Sequence, residues 1–504
     1  MSVSRRSLSK AVAPTLGALL LLCPQVGAAE TLMDAIDLAY QSNPSLRAQR
    51  AQLRATDEGY VQAKAGYGPQ VSFNSQVGYD DASVNQGPGV FSTKDSIVHY
   101  HATTESADLQ AVQPLYTAGS TAAQVRGAAA DVLAARENLR QAESQLLQNV
   151  ITAYVDVRRD RETVRILKDE IVQLTAEFNE IKAKGALGVV TKTDVAQSEE
   201  RLLSAQAQLN LSYGHLNASN AEYLNYVGQS PGELEPEPDL PGLPGGVDDA
   251  FTAADHNNAQ LLAAVETERA AREKVNLAKS ANGPSLSVKL DASATPYTPY
   301  LEHQNDQSVA ATLIFTQPIF TSGMNSSKVR EALEADNQAQ LDVETTRRGV
   351  VQLVAQAWDQ LVSTRSAKTI EQQQLADELV AVEGNRIEER VGQRSTIDLL
   401  NAELELANTR IDLLQSGHDE YVAAAVLLSA MGLLEVRYLD PAAQTYDPAA
   451  KLNKVESLGS PSWEDAIGVL DSIGAPHSPA PSLSPTDAGA ARPADMPPLP
   501  KPTP

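Results

Sequence analysis

The chain has 504 residues and a net charge of −24, from 40 Lys and Arg against 64 Asp and Glu. So acidic a chain lacks the basic footprint that phosphates require, which excludes nucleic acid as a partner. Aromatic residues make up only 5%, too few for large compact cores, and the single cysteine, Cys23, leaves no internal disulfide.

Residues 1–29 have the pattern of a secretory signal. Arg5, Arg6 and Lys10 form a charged start, an apolar run follows to Leu22, and Gly27-Ala28-Ala29 offers small residues for cleavage. The run is too short to cross a bilayer as a helix. Cys23 lies within this segment. A lipoprotein would acylate it, but Leu22 stands where a small residue is expected. Removing the leader takes away three cations and no acids, so −24 becomes −27. No later segment offers about 18 consecutive apolar residues, so membrane-spanning helices are not expected.

The rest of the chain reads twice. From Pro114 to Gly228 it matches Pro318 to Gly432 at a constant offset of 204, without a gap. Leu109 pairs with Leu313, Gly119 with Gly323, Arg126 with Arg330, Gly188 with Gly392 and Asp194 with Asp398. Upstream the offset is 215, as in Asn43 to Asn258 and Pro69 to Pro284, so the second copy is shorter by 11 residues. The deficit is expected in loops and strand ends. Similar composition would not hold glycines and prolines in register over such a length.

Taken in order, the first repeat spans 30–228 and begins with a helical segment, Thr31 to Gly66. Residues 69–113 then alternate with period two: Val71, Phe73, Val77 and Tyr79 on one side, Ser72, Asn74, Gln76 and Asp80 on the other. This predicts a β-hairpin of strands of roughly 9–11 residues, the length that crosses a bilayer when tilted. The helical hairpin segment, 114–228, has no proline after Pro114, the next being Pro231, and carries an apolar stripe at spacings of three and four, among them Leu146, Val150, Val157, Val164, Leu167, Leu174 and Ile181. That spacing is a coiled-coil seam. It breaks near Gly188 and resumes with Leu202, Leu209, Leu216 and Tyr223, predicting a helical hairpin with its turn near 185–193. The long arm would reach about 100 Å at roughly 1.5 Å per residue. The return arm is half as long, and the first helix would continue it end to end.

A linker at 229–248 holds five prolines. The second repeat, 249–432, repeats the plan with a β-hairpin at 284–317 and a helical hairpin at 318–432 turning near 390–397. In its strands Leu286, Val288, Leu290 and Ala292 oppose Ser287, Lys289, Asp291 and Ser293, and Val309, Ala311, Leu313 and Phe315 line the return. After Leu439, helical periodicity is lost through an equatorial segment, 433–475. Ten of the last 29 residues, 476–504, are proline, the composition of a disordered tail.

Open sheet edges cannot face lipid, because each unpaired backbone group costs several kcal/mol. Membrane barrels close from about eight strands upward. Four strands per chain therefore require oligomers, eight strands in a dimer or twelve in a trimer. The fold class expected is an α+β membrane protein. No catalytic, cofactor or metal site emerges: HExxH, a zinc-type Cys/His pair and GxSxG are absent, and no Gly precedes Lys192-Thr193 at Walker spacing. His99 and His101, two apart on an expected strand, are read as an exposed or interfacial pair rather than a metal site. An enzyme is therefore not expected. The rival to a membrane protein is a soluble periplasmic coiled-coil adaptor or spacer.

The ordered set of motifs resembles the TolC family of outer-membrane efflux and secretion ducts. The residues that carry it are Thr31-Leu32-Met33-Asp34-Ala35, Asn43-Pro44, Ala65-Gly66-Tyr67-Gly68-Pro69, Gln113-Pro114-Leu115-Tyr116 and Gln317-Pro318-Ile319-Phe320, with Gly119 and Gly323 and the tips Leu187-Gly188-Val189 and Val391-Gly392-Gln393. The linker from Val227 to Leu234 looks most like the type I secretion branch. The resemblance covers about residues 30–440. It implies a homotrimer in the outer membrane of a Gram-negative cell, with a shared 12-strand β-barrel and a periplasmic α-barrel. It also implies two partners: a periplasmic adaptor (membrane fusion) protein and an inner-membrane ABC or proton-driven transporter.

The resemblance further implies a gate at the helical tips. Asp194 and Thr193 match positions that receive links from the second hairpin, and Arg394 matches a donor. A family tyrosine donor aligns with Glu389, whose carboxylate would repel Asp194 unless protonated or bridged. Asp398 would contribute a ring of carboxylates at the entrance, and Asn401 leaves a second ring neutral. Leu187, Gly188, Val189, Val190, Val391, Gly392 and Gln393 would dock the adaptor. Alternatively Asp194, Arg394 and Asp398 are ordinary turn charges at helix starts, where Asp caps are common.

Overall fold

The computed structural model describes residues 29–86, 96–297, 306–441, 443–456 and 461–473. The leader with Cys23, the proline-rich tail and the strand connections lie outside the described residues, as do His303 and His477.

The chain opens with α1 (Leu32–Ser42) and α2 (Pro44–Lys64). They are two helices where one segment read as helical, because Asn43 and Pro44 part them. Asn43 Oδ1 accepts from Ser45 N at 2.9 Å, and the proline sits at the first turn, where its missing N–H costs nothing. A hairpin follows, β1 (Gln70–Gln86) and β2 (Ser96–Tyr116), and then α3 (Ser120–Ala186) and α4 (Lys192–Val227). The second repeat gives α5 (Val247–Asn257), α6 (Ala259–Ser280), β3 (Ser285–Tyr297), β4 (Asp306–Thr316), α7 (Met324–Arg390) and α8 (Thr396–Ala430). Three short helices close the described chain: α9 (Val436–Leu439), α10 (Ala450–Val455) and α11 (Glu464–Ser472).

The duplication holds atom by atom. Asn43 Nδ2 donates to Tyr226 O at 3.0 Å, and Asn258 Nδ2 to Ala430 O at 2.8 Å. Gln113 Nε2 donates to Tyr67 O at 2.8 Å, and Gln317 Nε2 to Asn282 O at 3.0 Å. Each asparagine thus ties the start of a short helix, α2 or α6, to the end of a return helix, α4 or α8. The two short helices stack end to end beside their long helix, which packs along both. Gly432 cannot be anything larger: its φ is +72°, and a Cβ there would stand 2.1 Å from Asn257 O.

The main core lies where these joins meet. Tyr154 is fully buried, and its hydroxyl donates to Glu30 O at 2.9 Å and Glu235 O at 2.8 Å, pinning the chain start and the linker to α3. Val150, Ile151, Val157, Tyr223, Val354, Leu361, Leu427 and Leu428 fill the same cluster.

The four strands form one antiparallel sheet in the order β1-β2-β3-β4. Register places Phe73, Leu109, Ala292 and Val309 in one row and Val71, Ala111, Leu290 and Ala311 in the next. The opposite face carries Asn74, Asp108, Ser293 and Ser308, then Ser72, Gln110 and Asp291. One face is apolar and the other polar. The strands run 17, 21, 13 and 11 residues, so the first hairpin exceeds the 9–11 expected. The apolar row that holds Val71, Phe73, Val77 and Tyr79 ends there: Asp81, Ser83, His99 and His101 stand at the positions that continue it. The ladder β1–β2 has 17 rungs and β3–β4 has 11. Six rungs on two strands, less one residue of longer connection in the second copy, account for the 11-residue deficit.

Candidate functional site

The tips of the two helical hairpins hold every site residue expected from the sequence. The first turn follows α3 with Leu187 and Gly188 at φ +75°; the second follows α7 with Val391 and Gly392 at φ +73°. Both close alike. Val189 N donates to Lys184 O at 3.0 Å and Gln393 N to Glu388 O at 2.9 Å, which satisfies the last carbonyls of the long helices. Leu187, Val189 and Val391 are 80%, 70% and 65% exposed, leaving an apolar end on each hairpin. Val190 differs from the other proposed docking residues. It packs against the cluster of Leu174, Ile181, Ala205 and Leu400 rather than facing outward.

Asp194 and Asp398 occupy equivalent caps. Thr191 N donates to Asp194 Oδ2 at 2.8 Å, and Asp194 N donates to Thr191 Oγ1 at 3.2 Å. Ser395 Oγ donates to Asp398 Oδ2 at 2.7 Å, and Asp398 N donates to Ser395 Oγ at 3.2 Å. These are capping boxes that start α4 and α8. Hydrogen bonds from the Ser395 hydroxyl and backbone, with Arg394 nearby, hold the Asp398 carboxyl below the usual aspartate value. Thr193 is exposed beside the first box, and Asn401 is exposed on α8.

Arg394 does not reach Asp194 within the chain. Its Nε donates to Glu388 Oε2 at 2.9 Å, on its own hairpin. Other residues cross between hairpins. Lys184 Nζ of the first hairpin stands 3.5 Å from Glu389 Oε1 of the second, and within the second hairpin Thr396 Oγ1 donates to the same oxygen at 3.3 Å. Glu389 is therefore bridged, and the repulsion expected from its carboxylate is answered by a cation of the first hairpin. Arg201 Nη2 donates to Asn401 Oδ1 at 2.5 Å, a second crossing. Sequence reasoning missed Lys184 and Arg201 as site residues. The signal available was the unmatched carboxylate at 389, which calls for a nearby base.

Among the described residues, no group of three His, Cys, Asp or Glu side chains gathers to hold a metal. His101 Nδ1 lies 3.3 Å from Asp81 Oδ1, both well exposed. No described helix is long and apolar enough to cross a membrane.

The sequence profile described as outer membrane efflux protein matches residues 35–228 and 251–433. The chain is 29% identical over 427 residues to outer membrane efflux protein BepC of Brucella suis biovar 1 (strain 1330), covering 85% of this chain and 91% of that protein. It is 24% identical to outer membrane protein TolC of Escherichia coli (strain K12), covering 91% and 93%. Its fold is similar to the crystal structure of the Campylobacter jejuni CmeC outer membrane channel, with a TM-score of 0.68, 15% identity and coverage of 92% and 99%.

Proposed function

The chain belongs to the outer membrane efflux protein family, the TolC family of ducts, and on that premise we propose that three copies close into a passive exit tube. It is an outer-membrane protein of a channel family rather than an enzyme family. The observation that carries the finer reading is the four-strand sheet, with its apolar and polar faces and its two unpaired edges, β1 and β4. Lipid cannot satisfy those edges, so another copy must pair with them. Three chains supply twelve strands and a lumen lined by the polar face. Ile319 and Phe320, 94% and 86% exposed where β4 leads into α7, fit burial against a neighbouring copy.

The helical hairpins then form the periplasmic part, with α3 and α7 setting its length at about 100 Å. The tips are the entrance. Asp194, Thr193, Arg394, Asp398 and Asn401 form the gate region, and Leu187, Gly188, Val189, Val391, Gly392 and Gln393 meet a periplasmic adaptor; Val190 supports the tip from within. An inner-membrane ABC or proton-driven transporter supplies energy and selects cargo. The linker residues 227–234 favour protein export by type I secretion over small-molecule efflux. The test is extraction and reconstitution. Purified protein should be a heat-modifiable, detergent-soluble trimer that gives discrete conductance steps in planar bilayers. Recovery from the periplasm without detergent would overturn the duct in favour of a soluble spacer.

A further inference from the structure

Above the tips, the seam between the two hairpins contains a pair of acids in an apolar setting. Glu177 lies on α3 between Leu174 and Ile181, and Glu403 lies on α8 one turn beyond Leu400. Leu174, Ile181 and Leu400, with Ala205 of α4, form one buried cluster that spans both hairpins. Glu403 is 9% exposed, and its Oε1 accepts from Arg386 Nη2 of α7 at 2.8 Å. The two carboxyls are within hydrogen-bonding reach of each other. Yet the Oε2 atoms of both are buried and accept from no other group.

Two buried acceptors facing each other are stable only if one carries a hydrogen. The surrounding charges do not remove that requirement. Arg386 is engaged by Glu403 and by Glu383 at 3.5 Å. Lys184 is engaged by Glu180 and Glu389, and Arg201 of α4 by Asn401. Glu180, one turn further along α3, adds negative charge.

We propose that a proton shared between Glu177 and Glu403 latches the two hairpins together in the closed state, and that its loss loosens the seam. This rests on the gating role given to the tips above. Burial, followed by the facing Glu403, pushes the Glu177 carboxyl well above the ordinary carboxylate range. The closed seam therefore binds a proton that an opened, solvated one releases. Closure is strongest at pH below the ordinary carboxylate range, weakens as pH rises above it and has lost this contribution once pH passes the raised value. Within that window one proton changes the closing equilibrium by up to about tenfold per pH unit. Asp398, held low by its cap, stays ionised across most of the window and does not contribute.

The experiment uses the full chain with paired spin labels at the exposed tips, on cysteines replacing Leu187 and Val391, and measures their separation in detergent from pH 5 to pH 9. Planar-bilayer conductance is recorded over the same range. In the parent chain the label separation should lengthen with pH and conductance should rise. Glu177→Gln, which keeps a neutral donor, should hold the short separation and low conductance throughout. Glu170→Gln, which alters another partly buried carboxyl of α3, should leave the pH response intact. A parent chain whose label distance is independent of pH, or a Glu177→Gln chain that keeps the full response, overturns the latch. Labels that respond in protein that forms no channel overturn the duct reading and leave the latch standing.

Discussion

At the scale of single residues, the link between the two tips has one acceptor and one donor. The second hairpin offers a carboxylate, Glu389, and the first supplies the cation, Lys184. Arg394 is occupied by Glu388 on its own side. Lys184→Ala is therefore expected to raise single-channel conductance more than Arg394→Ala does. The effect is a modest one, since the pair is partly exposed and such bridges contribute about 0–1 kcal/mol each. Equal conductance in Lys184→Ala and the parent, with a rise in Arg394→Ala, would return the link to the arginine. The sequence showed that Glu389 needs a bridging cation, but not which one. The sequence puts Arg394 and Glu389 at the second turn, but which carboxylate a long flexible cation reaches depends on rotamers and on the neighbouring hairpin.

At the scale of elements, the ends of α3 were only half legible. Its C-terminus was, because Gly188 and Gly392 interrupt two apolar seams at the same place, and left-handed backbone favours glycine there. Its N-terminus was not. The partner there is Asp471 of α11, in a stretch whose sequence had lost helical periodicity. Asp471 is 1% exposed and accepts from Thr117 N at 2.6 Å, Gly119 N at 3.2 Å and Ala122 N at 3.3 Å. A helix of nine residues gives too few turns for a stripe to stand out, and its partner lies some 350 positions earlier in the chain. Asp471→Ala removes a cap and leaves buried N–H groups unpaired, at about 1–2 kcal/mol. Residues 461–473 should then exchange amide hydrogens and be cut by protease faster, with α4 and α8 unchanged. Equal protection in both chains would mean that α11 is held by other contacts. The strands were legible only where lipid-type alternation lasts. Past Tyr79 the row that had been apolar turns polar, with Asp81, Ser83, His99 and His101, so the face that marked the strand in the sequence no longer marks it, although pairing continues.

At the scale of the whole molecule, β1 and β4 are the edges of the described sheet, and on the duct reading each needs a partner strand. Pairing β1 of one copy with β4 of the next predicts intermolecular disulfides between single cysteines placed along β1 and β4, with a closed trimer as the largest product on mild oxidation. Cys23 is the chain's only cysteine, so background is low. A largest product of two chains would make the barrel a dimer of eight strands.

The two ladders differ by six rungs, yet α3 and α7 have 67 residues each. One residue inserted in a helix would turn everything beyond it by about 100° and lift it by roughly 1.5 Å, swinging the seam off its partner. A rung added at a strand tip displaces nothing beneath it. The two halves accordingly differ in length at the rim and agree in the shafts, where two hairpins must finish level. The same rule tells an engineer where to graft. A foreign loop belongs beyond the last rung of either hairpin, and a single added residue within α3 or α7 would put the whole entrance out of step.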